Sequence, residues 1–382
     1  MTVTLKTLVN FNGTNGGDPQ FGSLITDAHG NLFGTTAGGG ALNGGTVFEI
    51  AKTASGYAKH PTILVQFHAG STPHGLIIDA HGNLFGTTSN GGANNDGTVF
   101  EITKTASGYA KHTLVSFDGT DGSHPHAGLI ADANGDLFGT TSQGGADLVG
   151  TVFEIAKTAS GYARTPTTLV SFDGADGFGG GGLIIDANGN LFGTSGLGGA
   201  NNDGTVFEIA NTASGYASTP TTLVSFNGTD GSTPNGSLII DANGNLFGTT
   251  ATGGASNLGT VFEIAKTASG YASTPTTLVS FNGTDGRQPE TGLIIDANGD
   301  LFGTTFGGGA NLLGTVFEIA KTASGYASTP TTLVSFNGTD GSNPLDSLFA
   351  NAHGDLFGTT VDGGAHFVGT VFEITGSGFA FM

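Results

Sequence analysis

Gly97-Thr98-Val99-Phe100-Glu101-Ile102 is one of seven copies of the phrase Gly-Thr-Val-Phe-Glu-Ile, and the rest of the chain keeps step with it. The glutamates of the seven copies are Glu49, Glu101, Glu154, Glu208, Glu263, Glu318 and Glu373, separated by 52, 53, 54, 55, 55 and 55 residues. A period of that size means one supersecondary unit copied along the chain. The 382 residues therefore read as a single domain, 1–382, built from seven repeats.

Within a copy the apolar pattern predicts four short strands. Gly75-Leu76-Ile77-Ile78-Asp79 is an unbroken apolar run, as expected of a strand covered on both faces (strand A). Ala80-His81-Gly82 reverses the chain into strand B, Leu84-Phe85-Gly86-Thr87-Thr88. Glycine inside a strand marks a place where another backbone approaches closely. Strand C is the phrase itself, and period-two alternation sends Thr98, Phe100 and Ile102 to one face and Val99 with Glu101 to the other. After Lys104-Thr105-Ala106-Ser107-Gly108-Tyr109, strand D is Thr113-Leu114-Val115-Ser116-Phe117. No window combines helical apolar spacing with caps.

Four antiparallel strands repeated seven times predict an all-β, seven-bladed β-propeller. A β-solenoid coil takes about 20 to 30 residues, roughly half this period. The phenylalanines test closure. Strands B and C supply seven each, whereas strand D supplies six, Phe67, Phe117, Phe172, Phe226, Phe281 and Phe336, before the sequence stops at Met382. Phe11, in Thr7-Leu8-Val9-Asn10-Phe11, is the missing member. Residues 1–12 are thus expected to complete the last blade and close the ring.

Composition excludes several functions. Ten Lys and Arg against thirty Asp and Glu give a formal charge of −20, a field that repels nucleic acid and anionic membranes. Without cysteine there is no disulfide, thiolate nucleophile or Cys-ligated zinc. No apolar run is long enough to span a membrane as a helix, and no basic n-region followed by an apolar core opens the sequence. The absence of tryptophan weighs against a flat indole platform for sugars.

The recurring phrase Asp-Ala-Asn-Gly-Asn-Leu-Phe-Gly-Thr-Thr, then Gly-Gly-Ala, then Gly-Thr-Val-Phe-Glu-Ile, resembles the Gloeo/Verruco tandem repeat, GloVer, of bacterial proteins that are often exported or surface-anchored. The resemblance implies an extracellular or cell-surface bacterial setting with a leader absent from this sequence, and it transfers no catalytic residue. The shorter Asp-x-x-Gly-Asn-Leu phrase is similar to turns of several propeller classes, sensor and streptogramin-lyase-like propellers among them.

The repeats differ mainly in two sets of loops that alternating strand direction places at one end of the blades. The A-to-B and C-to-D turns at the other end are nearly constant; residues 212–231, 267–286 and 322–341 are identical. The B-to-C loops carry Asn94-Asn95-Asp96, Asp147-Leu148-Val149, Asn311-Leu312-Leu313 and His366-Phe367-Val368 at similar places. The D-to-A loops carry His74, His124 with His126, Arg287 with Glu290, and Leu345-Asp346. Divergent loops on a rigid scaffold point to binding. The candidate ligand contacts are His74, His124, His126, Arg287, Glu290, Asp346, Asp362 and His366, recognising a glycan, peptide or protein.

No catalytic residue, metal or cofactor is called. His124-Pro125-His126 lacks a visible third ligand, and the Asp-Ala-Asn-Gly-Asp turn lacks the glycine and glutamate spacing of an EF-hand. No nucleophile-elbow or zinc-protease signature occurs. A glutamate repeated in every blade is expected to be structural. The alternatives are a structural or self-assembling repeat protein, and then a propeller-type lyase or hydrolase for which His74, His126 and Glu290 are the hints. The sequence leaves monomer and homo-oligomer undetermined.

Overall fold

The computed structural model describes residues 2–20, 22–106 and 108–381. Ser107, in the second C-to-D turn, lies outside them. Among the described residues there is no helix, and the strands form seven four-stranded sheets and five two-stranded hairpins in the C-to-D turns. In the second sheet strand A is Ile77–Ile78, strand B Leu84–Thr88, strand C Thr98–Thr105 and strand D Gly108–Ser116, hydrogen-bonded in that order. The last sheet draws on both ends of the chain. Thr4–Asn10 pairs antiparallel with Thr370–Thr375, with Leu5 opposite Ile374 and Val9 opposite Val371. The fold is a seven-bladed β-propeller whose last blade is completed by the N-terminal strand.

Contacts divide the chain into two compact units. One comprises Met1–Asn12, Thr194–Val206 and Thr222–Met382, and the other Gly13–Gly193 and Phe207–Thr221. They are called here the terminal and the central unit.

The alternation along strand C decides how sheets stack. In the central unit, Phe33, Val47 and Phe67 of one sheet meet Leu76, Leu84, Phe100 and Ile102 of the next. Val99, on the opposite face of that strand C, joins Phe85 and Phe117 against Leu129, Leu137, Phe153 and Ile155. The terminal unit repeats the pattern, with Phe247, Val261 and Phe281 against Leu293, Leu301, Phe317 and Ile319. Strand D and strand C phenylalanines of successive sheets pair edge to face, as Phe117 with Phe153 at 5.1 Å and Phe281 with Phe317 at 5.2 Å between centroids. Such pairs add about 0.5–1.5 kcal/mol beyond their buried area.

The strand B glycine has a different cause from the expected one. A Cβ on Gly303 would lie 2.7 Å from the tip of the Phe317 ring and 2.9 Å from Leu293, and Gly86 faces Phe100 in the same way at 2.7 Å. An aromatic side chain, and not another backbone, occupies the space. Strand A is also shorter than its apolar run. Only one of its edges has a partner, Ile77 opposite Phe85 and Ile78 opposite Leu84, while Gly75 ahead of it lies against neighbouring loops, 2.5 Å from a Cβ built on Gly22 and 3.5 Å from one on Gly128.

The tyrosines of the C-to-D turns pack on strand B of the preceding sheet, Tyr162 on Phe85 at 5.2 Å and Tyr326 on Phe247 at 5.5 Å. Phe379 takes that role in the last copy, 5.1 Å from Phe302. The C-terminal segment is further held where Ala297 N donates to Ala380 O at 2.8 Å and Ala380 N to Asp296 Oδ2 at 3.0 Å.

Candidate functional site

The two ends of the sheets differ in how their polar groups are used. At the A-to-B end, Asp79 Oδ1 accepts from His81 N at 2.8 Å and Asn83 N at 2.9 Å, while Asn83 Nδ2 donates to Asp79 Oδ2 at 3.0 Å. Burial alone would push this carboxyl up, but the bonds from Asn83 and His81 hold it below its ordinary value. Asp27, Asp132, Asp186 and Asp241 repeat the arrangement. Each turn spends its carboxylate on its own backbone, which explains why it stays constant.

At the other end, backbone geometry is shared while side chains diverge. The last-but-one residue of strand B is a threonine whose Oγ1 donates to a carbonyl two or three residues before the next strand A. The pairs are Thr87 to Ala127 at 3.1 Å, Thr140 to Gly181 at 2.8 Å, Thr249 to Thr291 at 2.9 Å and Thr304 to Asp346 at 3.4 Å. Three residues ahead of the carbonyls of Ala127, Gly236, Thr291 and Asp346 the chain turns through positive φ, at His124, Thr233, Gln288 and Asn343, each followed by proline. The residue after that proline is His126, Asn235, Glu290 or Leu345. One backbone frame therefore presents four different chemistries.

In the central unit this frame gathers histidines. His74 is fully enclosed, its Nε2 bonded to Ser89 Oγ and its backbone N donating to Thr87 O at 2.9 Å. The His126 ring stands 4.8 Å from it, tilted by 40°. Ser89 Oγ also reaches Pro125 O at 3.3 Å, so one hydroxyl ties the His74 side chain to the loop that carries His126. His124 holds the turn at φ 56°, its N bonded to Asp96 O at 2.8 Å. Burial first, and the neighbouring His126 second, push the His74 pKa down to about 3. His126 is likewise held low, by desolvation and then by His124. The buried His74 ring is therefore neutral near pH 7, and His126 is shifted in the same direction.

In the terminal unit the same frame is acidic. Glu290 is half-buried, and desolvation raises its carboxyl pKa. Thr291, its neighbour, shares a 3.0 Å bond with Thr304 Oγ1. Asp346 is buried, and its Oδ2 accepts from Thr359 Oγ1. Arg287 lies back over Gly307, where a Cβ would meet its guanidinium carbon at 2.7 Å, and bonds Gln288 Oε1 at 2.5 Å. Asp362 and His366 are exposed on the last B-to-C loop. Thus His74 meets His126, while Asp362 and His366 stand on a separate loop from Glu290 and Asp346. Sequence reading missed Ser89, Thr291 and Thr359, because a hydroxyl in a Thr-Thr or Thr-Ser strand ending carries no signal until its partner is known. No cluster of three or more His, Cys, Asp or Glu suited to a metal occurs among the described residues.

The His74 shift makes a pH prediction. An unfolded chain protonates His74 below about pH 6.5, whereas the folded chain resists until about pH 3. The contribution is therefore complete above the unfolded value and is lost as pH falls. Relative to a His74→Gln variant, the parent is expected to lose about 2 kcal/mol between about pH 7 and about pH 5, read from paired urea titrations. A difference that ignores pH would mean that His74 titrates normally.

With the geometry in place, the profile of the family described as the Gloeobacter/Verrucomicrobia repeat matches residues 1–131, 73–294 and 271–382. The chain belongs to this family. No curated protein matches the sequence. Among solved structures, the chain is similar to a streptogramin B lyase at 14% identity and TM-score 0.60, covering 98% of both chains. It is similar to the virginiamycin B lyase of Staphylococcus aureus at 14% identity and TM-score 0.59, covering 98% of this chain and 99% of that one. A catalytically inactive form of that enzyme with quinupristin gives 15% identity and TM-score 0.55, covering 98% and 99%. At such identities the likeness is one of fold alone. No helix of the described residues is long and apolar enough to cross a membrane.

Proposed function

We propose that this repeat protein is a non-catalytic binding module whose ligand seats on the ends of the blades that carry the B-to-C and D-to-A loops. The observation that supports it is the shared frame with divergent side chains: His126, Asn235, Glu290 and Leu345 follow the same proline in loops anchored by the same threonine bond. The opposite end is solvated as well, but its turns are held by their own Asp-to-backbone bonds, so the support lies in the side chains the shared frame presents and not in the contrast between the two ends. The ligand is a glycan, peptide or protein met outside the bacterial cell, a setting suggested by the company this repeat keeps.

The test is a glycan and peptide array read with the parent chain and with a variant whose seven D-to-A and B-to-C loops are made uniform. Retention of every hit by the uniform variant would remove the reading. Turnover of any hit during incubation would replace it with the lyase or hydrolase alternative.

A further inference from the structure

One position of the B-to-C loop breaks the pattern of its copies. Asn43, Asn95, Asn202 and Asn257 sit there with φ between 55° and 65°. Asparagine suits that left-handed conformation, and its side chain repays the turn: Asn95 Oδ1 accepts from Gly91 N at 3.1 Å, Asn202 Oδ1 from Gly198 N at 3.0 Å, and Asn257 Oδ1 from Gly253 N at 3.0 Å. The equivalent residues in three other copies are Leu148, Leu312 and Phe367, at φ 63°, 63° and 61°. These side chains have no acceptor to offer the turn. They are also 72%, 66% and 78% exposed, the three largest values among the exposed large hydrophobics described. At all three the side-chain bond to the turn is given up and most of the apolar side chain stays in solvent.

Leu312 and Phe367 belong to the terminal unit, and their loops are joined. Asn343 N donates to Leu313 O at 2.8 Å and Asn343 Nδ2 to Phe306 O at 3.1 Å, while Val361 N returns to Asn343 O at 3.2 Å. Asp362, exposed, follows directly and pairs its backbone with Ser342. An acidic side chain thus stands on the Phe367 loop, where the Ser342-Asn343 segment joins it to the Leu312 loop. The loops at this end of the terminal unit, from residue 196 to residue 369, hold seven carboxylates and one guanidinium. That guanidinium, Arg287, is folded onto Gly307 and Gln288. Lys266 and Lys321 stand at the opposite end, beside Tyr271 and Tyr326. The field around the apolar pair is therefore net negative, although Arg287 lies against Gly307 on the loop that carries Leu312.

We infer that Leu312 and Phe367, with Asp362 on the loop that carries Phe367, form a docking surface for a cationic peptide segment that carries its own apolar side chains. This rests on the binding-module reading and names its ligand class. A second copy of the chain is disfavoured, because two such acidic ends repel. Anionic polymers are disfavoured for the same reason, and apolar anchors inside a field of one sign match a partner of the other sign with apolar side chains.

The test uses the full chain and three synthetic peptides of equal length, alternating Lys with Leu, Lys with Ser, and Glu with Leu. The protein variant is Leu312→Asn with Phe367→Asn, which installs the residue that four other copies already use at this φ and leaves the charge unchanged. The Lys/Leu peptide is expected to bind the parent about tenfold more tightly than the double variant, a difference within the worth of two buried apolar side chains. Binding is expected to weaken as salt rises from about 50 to about 500 mM, and the Glu/Leu peptide to bind least. Equal affinity of parent and double variant, or preference for Glu/Leu over Lys/Leu, overturns the inference. Array hits that disappear in the uniform-loop variant yet survive the double substitution leave the module reading standing and remove this site alone.

Discussion

A chain lacking residues 1–12 is expected to melt roughly 10 to 20 °C below the parent and to aggregate on heating. The segment Thr4–Asn10 supplies strand D of the last blade, and Leu8, Val9 and Phe11 are buried at 7%, 1% and 0% exposure. Burying three such side chains contributes on the order of 5 to 8 kcal/mol in total. Lys6 Nζ lies 3.0 Å from Glu373 Oε2, but the lysine is exposed, so little of the effect comes from that pair. Removing the strand also bares the edge of Thr370–Thr375, and an unpaired edge invites pairing with other chains. Calorimetry with light scattering reads both effects. A melting temperature within about 2 °C of the parent would show that the N-terminal strand does not close the last blade.

The second large effect is expected at the packing between sheets. Phe317→Ala should cost about 3 to 5 kcal/mol, because the ring is fully buried and its neighbours cannot collapse onto the space. Phe281 loses an edge-to-face partner at 5.2 Å, and the Phe317 ring no longer covers Gly303. Gly303→Ala alone should cost about 1 to 3 kcal/mol by overpacking, since its new methyl would lie 2.7 Å from the Phe317 ring. In the Phe317→Ala background the same methyl enters the vacated space. The double variant is then expected to be more stable than the sum of the single costs predicts, by about 1 kcal/mol or more. Additive costs in denaturant titrations would show that the glycine serves something other than room for the ring.

Much of the architecture was legible because the chain contains its own alignment. Seven copies of one phrase give the period, and alternation within Thr98-Val99-Phe100-Glu101-Ile102 gives the two faces of a blade. Counting phenylalanines located Phe11 as the member that completes the last sheet, and Thr4–Asn10 pairs there. Such arguments work because packing constraints are local and repeat with the chain. The purpose of Gly303 was not legible, since a glycine that admits an aromatic ring reads the same as one that admits a backbone.

The sequence by itself determined the all-β class, the number of blades, the closing strand, the acidic field and the end at which the copies diverge. The tertiary structure decided which divergent residues act together. It enclosed His74 beside His126 and set its proton affinity, buried Asp346 against Thr359, folded Arg287 onto Gly307, and left Leu312 and Phe367 largely exposed in left-handed turns. The physical reason is that a strand pattern depends on neighbours one or two residues away. Burial and exposure at a loop depend instead on segments distant in sequence, 15 residues away for Ser89 at His74 and 40 for Ala127 at Thr87.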